Sequence, residues 1–146
     1  MEIKYQIFEN ESLLIQKFIG TFLIERYMKY MGYLMKVLHT SLINKVLIDF
    51  REVVFDDAPE DFEDVVDRIM QHRKNLNEKI IKREDVTIVF WVDNPLSTAI
   101  ANLFQDNFST MDYRYCSTLD SVIDILKLPK HLENLEVVIN GLENSF

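Results

Sequence analysis

The chain has 146 residues, 48% hydrophobic and 27% charged, which suits one folded domain with a core of its own. Its net charge of −8 argues against nucleic acid and anionic membrane surfaces as primary partners, because phosphate binding needs a basic footprint. The single cysteine, Cys116, excludes an intramolecular disulfide and a multi-cysteine zinc site, and it fits a reducing, cytoplasmic setting.

The opening residues lack the basic-then-apolar order of a signal peptide, and no apolar run approaches the roughly 20 residues that span a bilayer. Ile3, Tyr5 and Ile7 alternate with Lys4 and Gln6, which predicts a strand. Glu9, Asn10 and Glu11 read as a turn and residues 13–19 as a second strand, so the chain opens on a β-hairpin. Thr21 then reads as the N-cap of a helix that runs to Thr40.

On that helix Ile24, Tyr27, Met28, Met31, Leu34, Met35 and Leu38 share one face. Phe22, Leu23, Tyr30, Tyr33 and Val37 form a second apolar sector. The combined arc is roughly 240°, where packing on one sheet needs only about 100°. Three readings follow. Residues 129–146 cover the second sector, or it is a homodimer or partner interface, or it walls a pocket for an apolar ligand lined by Tyr27, Met31 and Met35.

Residues 46–50, VLIDF, form a dense apolar run of the kind that suits a strand covered on both faces, and residues 53–55 extend it or turn. Asp57 reads as the N-cap of the next helix, with Glu60 at the capping-box position and Phe62, Val65, Val66, Ile69 and Leu76 in one stripe. Residues 86–92, VTIVFWV, are the most strongly β-like run. Asn94 caps a further helix that Pro95 opens and that carries Leu96, Ala99, Ile100, Leu103, Phe104 and Phe108. A strand over 113–116 and a Thr118-capped helix with Leu119, Val122, Ile123 and Leu126 inward complete the pattern, and Pro129 ends it. The tail holds a turn of helix over 131–135 and then Val137–Ile139, which pairs on a sheet edge or docks elsewhere.

The order ββαβαβαβα predicts an α/β fold: a mostly parallel, four- to five-stranded sheet with an N-terminal β-hairpin, flanking helices and right-handed crossovers. Residues 1–128 form this domain, and residues 129–146 a C-terminal tail that packs on it or on a partner.

The central stretch resembles the core motif of the STAS superfamily, the anti-sigma-factor-antagonist fold shared with cytoplasmic domains of sulfate transporters. Val46, Leu47, Ile48, Asp49 and Phe50 match the motif's apolar strand, and Val53, Phe55 and Asp56 the approach to its loop. Where the family's regulated members carry Ser-Ser-Gly, this chain has Asp57, Ala58 and Pro59. Ala58 falls at the phosphorylated serine and has no oxygen to phosphorylate. The later pattern, from Asp93, Asn94 and Pro95 to Ser117 and Leu126, is similar to stand-alone bacterial STAS-like proteins. The resemblance implies a non-enzymatic regulatory or protein-interaction module, either a homodimer or bound to a regulatory partner. The alternative is a small binding protein for an apolar or amphipathic, lipid-like ligand.

Asp49, Asp56, Asp57 and Asp93 stand at the predicted carboxyl ends of strands, where open α/β sheets bind ligands. They could serve a metal or phosphoryl site, but capping and loop solvation account for them more simply. Asp56, Asp57, Ala58, Asp93 and Asn94 are therefore read as an interaction loop. The acid run from Glu60 to Asp67 lacks calcium-loop spacing, and His39, His72 and His131 lie far apart. Glycines at 20, 32 and 141 leave no phosphate loop, and no serine sits in a nucleophile elbow. No catalytic residue, metal or cofactor is assigned.

Overall fold

The computed structural model describes residues 1–37, 43–55, 64–65, 67–69, 71–72, 86–107 and 112–146. Alternation at the start of the chain becomes strand β1 (Glu2–Phe8), which pairs antiparallel with β2 (Leu13–Thr21). A 3-10 turn, Glu9–Glu11, joins them, with Ser12 left-handed at φ 52°. Then follow α1 (Ile24–Val37), β3 (Lys45–Val54), β4 (Thr87–Trp91), α2 (Pro95–Asn107), β5 (Asp112–Cys116) and α3 (Leu119–Leu126). A 3-10 turn (Lys130–Leu132), α4 (Leu135–Asn140) and β6 (Asn144–Ser145) complete the chain. Residues 64–65, 67–69 and 71–72, between β3 and β4, are helical. The expected helix start at Asp57 and Glu60 lies outside the described residues.

Among the described residues the strands form one six-stranded sheet in the order β5-β4-β3-β2-β1-β6. β2, β3, β4 and β5 run parallel, while β1 and β6 are antiparallel to their neighbours. The fold is thus the expected α/β arrangement with a parallel centre and an N-terminal hairpin. β6, a two-residue strand, brings the count to six.

Two expected boundaries move for identifiable reasons. Thr21 is not a helix cap: it ends β2, opposite Val54 of β3, and α1 starts at Ile24. Parallel pairing with β3 continues past a register shift between Lys17 and Ile19 and carries the strand through Gly20, whose φ of +81° suits glycine. Val137–Ile139, read as pairing on a sheet edge or docking elsewhere, does not join the sheet: it is helical and lies within α4. Leu135 and Ile139, at a spacing of four, are both fully buried, and that burial outweighs β-propensity.

Strand alternation sorts the core into two layers. On one face Ile3, Leu14, Phe18, Ile48, Phe50 and Phe90 meet α1 and α2, together with Ile69. Phe18 and Phe50 pack edge to face there, with centroids 5.1 Å apart at 90°. On the other face Leu13, Ile15, Leu47, Val89 and Trp91 meet Val122 and Leu126 of α3 and Leu132, Leu135 and Ile139 of the C-terminal segment. Each such buried side chain contributes about 1.5–3 kcal/mol, so residues 130–142 roof the second face.

Candidate functional site

At the carboxyl ends of the strands, Asn94 sits between β4 and α2. Its Oδ1 accepts from Ser97 N at 2.8 Å, the expected cap, and its Nδ2 donates to Asp93 Oδ1 at 3.1 Å. Asp93 is exposed. Asp93, Asn94, Pro95, Thr98 and Ser117 border a shallow groove. The Ser97 hydroxyl is fully buried and has no hydrogen-bond partner among the described residues. On the neighbouring strand Val54 is 54% exposed, and its carbonyl accepts from Phe22 N at 2.8 Å. Phe55 packs on Phe22 and Phe50, with centroids at 5.3 and 6.1 Å. Asp56, Asp57 and Ala58 lie outside the described residues.

Asp49 has different surroundings. It is 1% exposed and turned to the α4 face, where Arg51 Nε and Nη2 donate to its two oxygens at 2.9 and 2.8 Å. Arg51 also donates to both Glu136 oxygens, at 2.6 and 3.1 Å, and lies over the Trp91 ring. Burial lowers the Arg51 pKa, but the hydrogen bonds with Asp49 and Glu136 outweigh it, so the net shift is upward. The hydrogen bond from Arg51 holds the Glu136 carboxyl below its usual range, against a smaller opposing effect of burial. Beside this cluster, buried Lys17 pairs with Glu52 at 2.7 Å and donates to Asn140 Oδ1 at 3.2 Å. Asp49, with both oxygens occupied by arginine, is thus a structural anion that ties β3 to α4 through Arg51.

Arg51, Lys17 and Glu136 were not legible as a unit in the sequence. The available signal was opposite charges two apart in an apolar strand, which places Asp49 and Arg51 on one face. Nothing local points to Glu136.

The apolar sectors of α1 separate by depth. Tyr27, Tyr30 and Met31 are buried in the core, and Met35 packs against its margin. Tyr33 and Leu23 are 38% and 49% exposed, and Val37 is half-buried. The Phe146 ring lies 5.4 Å from both Tyr30 and Tyr33, and Tyr5 and Tyr33 share a hydroxyl–hydroxyl hydrogen bond of 2.7 Å. Residue 146 therefore covers part of the second sector. Burial pushes the Tyr5 hydroxyl up to about 12, reinforced by Tyr33, and raises Tyr30 beyond the ordinary tyrosine range.

His131 Nε2 lies 2.9 Å from Glu11 Oε1 on the surface. Cys116 is half-buried, and its thiol is pushed up to about 11 by burial. Among the described residues no three His, Cys, Asp or Glu side chains gather as a metal site, and no helix is long and apolar enough to cross a membrane.

No family model matches the sequence, and no curated relative is found by sequence similarity. By structure the chain is similar to the anti-sigma factor antagonist SpoIIAA in its unphosphorylated form, with a TM-score of 0.50. The match is 8% identical and covers 88% of this chain and 99% of that one. A likeness at that identity is one of fold alone. The hairpin, the parallel strands and the flanking helices together make this a STAS-like fold.

Proposed function

We propose that the chain is a non-enzymatic regulatory module that binds a protein at the carboxyl ends of β3 and β4. The partner is a second copy of the chain or a separate regulatory protein. The observation that carries this reading is the placement of an exposed aliphatic side chain, Val54, and an exposed acid, Asp93, at that end of a STAS-like sheet. Asp56, Asp57 and Ala58 come two to four residues after the end of β3 in sequence. Ala58 offers no hydroxyl, so in this reading phosphorylation does not switch the surface at that position. The negative charge of Asp57 holds it in one state. The lone free thiol and the acidic charge fit a cytoplasmic setting. An apolar-ligand carrier would need Tyr27 and Met31 as pocket wall; both are packed into the sheet core, which favours the interaction reading.

The test places a photo-crosslinking amino acid at Val54 and, as a control, at Val137, which is 64% exposed on α4. The Val54 position is expected to capture a discrete partner or a second copy in cells, and sedimentation velocity distinguishes the two. Asp57→Ser is expected to change the affinity for the captured partner. A strictly monomeric chain whose Val54 position cross-links no better than Val137 overturns the reading.

A further inference from the structure

The hairpin edge of the sheet is closed by very little chain. β6 contributes two residues, with Lys4 opposite Ser145 and Tyr5 opposite Asn144. Phe146 N donates to Ile3 O at 2.9 Å, and Ile3 N to Phe146 O at 3.4 Å. Pairing stops at Tyr5, so Gln6, Ile7 and Phe8 have no strand on their outer side among the described residues. Backbone bonds of this kind contribute about 1 kcal/mol each, which puts so short a strand at the low end of local stability.

The side-chain contacts at this edge are more specific. The Phe146 ring occupies a slot against Tyr30 and Tyr33. Arg26 Nη2 donates to Phe146 O at 2.7 Å, and its guanidinium carbon lies 6.0 Å from the ring centroid. Beyond Phe146 the surface continues as a groove lined by Leu23, Ile24, Arg26 and Lys29. Arg26 and Lys29 face one acid there, Glu25, in a chain whose net charge is −8. This is a local basic and apolar track on an acidic protein.

We propose that the outer edge of β1, the Tyr30–Tyr33 slot and the Arg26–Lys29 groove form an acceptor site for an extended segment of a partner protein, closed in cis by residues 144–146. The mode is strand addition: main-chain pairing supplies affinity, and the slot and groove supply selectivity. The segment carries an aromatic residue where Phe146 lies, followed by apolar and acidic residues that meet Leu23, Ile24, Arg26 and Lys29. A segment longer than β6 also pairs with Ile7, which the cis occupant does not reach. The cis occupant has the advantage of being tethered, so it sets the threshold that a partner must exceed. The proposal does not rest on the loops after β3 and β4.

The probe is a fluorescent peptide, Thr-Val-Asn-Ser-Phe-Leu-Glu, titrated into the full chain and followed by anisotropy. Phe146→Ala removes the competing ring and is expected to tighten binding by about tenfold or more. Arg26→Glu is expected to weaken it by a similar factor, and a peptide with alanine for phenylalanine is expected not to bind. On the unsubstituted chain, whose folding is not at issue, the peptide is expected to shift the NMR signals of Ile3 to Ile7 and leave Asp93 and Asn94 unmoved. Equal affinity for Phe146→Ala, shifts confined to other surfaces, or no binding up to about 1 mM overturns the proposal. So does a dimer formed by exchange of residues 144–146, which would make a second copy the occupant.

Discussion

Arg51 stacks on Trp91, its guanidinium carbon 3.5 Å from the centroid of the indole system. The same guanidinium holds Asp49 within its own strand and Glu136 on α4, so one side chain joins β3, β4 and the C-terminal segment. Burial of this kind stabilises only while every charge keeps its partner.

Arg51→Ala leaves Asp49 buried without its counter-charge, with only the bond from the backbone N–H of residue 51 to one oxygen, and it is expected to cost about 3–5 kcal/mol. Replacing Asp49 and Arg51 together by Val and Met removes both charges and is expected to cost clearly less than the single change. Urea unfolding midpoints of the two variants check the order. A double variant as unstable as Arg51→Ala would mean that the stack on Trp91, rather than the stranded carboxylate, dominates.

Glu136 gives the acid limb of stability a definite sign. Its folded pKa lies below the unfolded value of about 4.3, held there chiefly by the hydrogen bond from Arg51. Its contribution is therefore complete above the unfolded value and is lost as pH falls through the folded one. Glu136→Gln is expected to flatten that part of the stability profile, measured as unfolding midpoints between about pH 3 and pH 7. Because Glu136 is half-exposed, added salt is expected to reduce the difference.

The alkaline limb depends on the tyrosine cluster. Tyr5 is raised to about 12, mainly by burial and then by the Tyr33 hydrogen bond. Its share of stability is complete below the unfolded value of about 10 and disappears as pH rises through the folded one. Tyr33→Phe is expected to lower the Tyr5 pKa and cost about 1 kcal/mol. Ultraviolet titration of tyrosinate absorbance reads the first effect and urea unfolding the second.

Cys116 is expected to be slow to react. Its thiol is pushed up to about 11 by burial, so little thiolate exists near neutral pH. A chromogenic disulfide reagent should modify the native chain far more slowly than the urea-unfolded chain. Equal rates would show that the end of β5 opens readily.

Some of the fold was legible because its cause is local. Ile3, Tyr5 and Ile7 alternate and form β1, Asn94 and Pro95 begin α2, and Thr118 caps α3 by accepting from Ser121 N at 3.3 Å. Thr21 was misread, and the local pattern of Val137–Ile139 does not choose between a sheet edge and docking elsewhere, because distant pairing and packing decide them. Thr21 is drawn into β2 by Val54, and Val137–Ile139 into α4 by the burial of Leu135 and Ile139. Leu23 and Tyr30 looked alike on a helical projection, yet they are 49% and 0% exposed, because only Tyr30 meets Tyr5, Phe18 and Phe146.

By itself the sequence determined the alternation of strands and helices, the hairpin, the caps at Asn94 and Thr118 and the dense apolar strand at Val46–Phe50, since these follow from periodicity and from side chains within a few residues of the groups they serve. Only the tertiary structure decided that Arg51 meets Glu136, 85 positions away, and that Phe146 closes the edge of β1. The reason is physical. A buried charge or an open strand edge requires a partner, but nothing in its own neighbourhood specifies which distant residue supplies it.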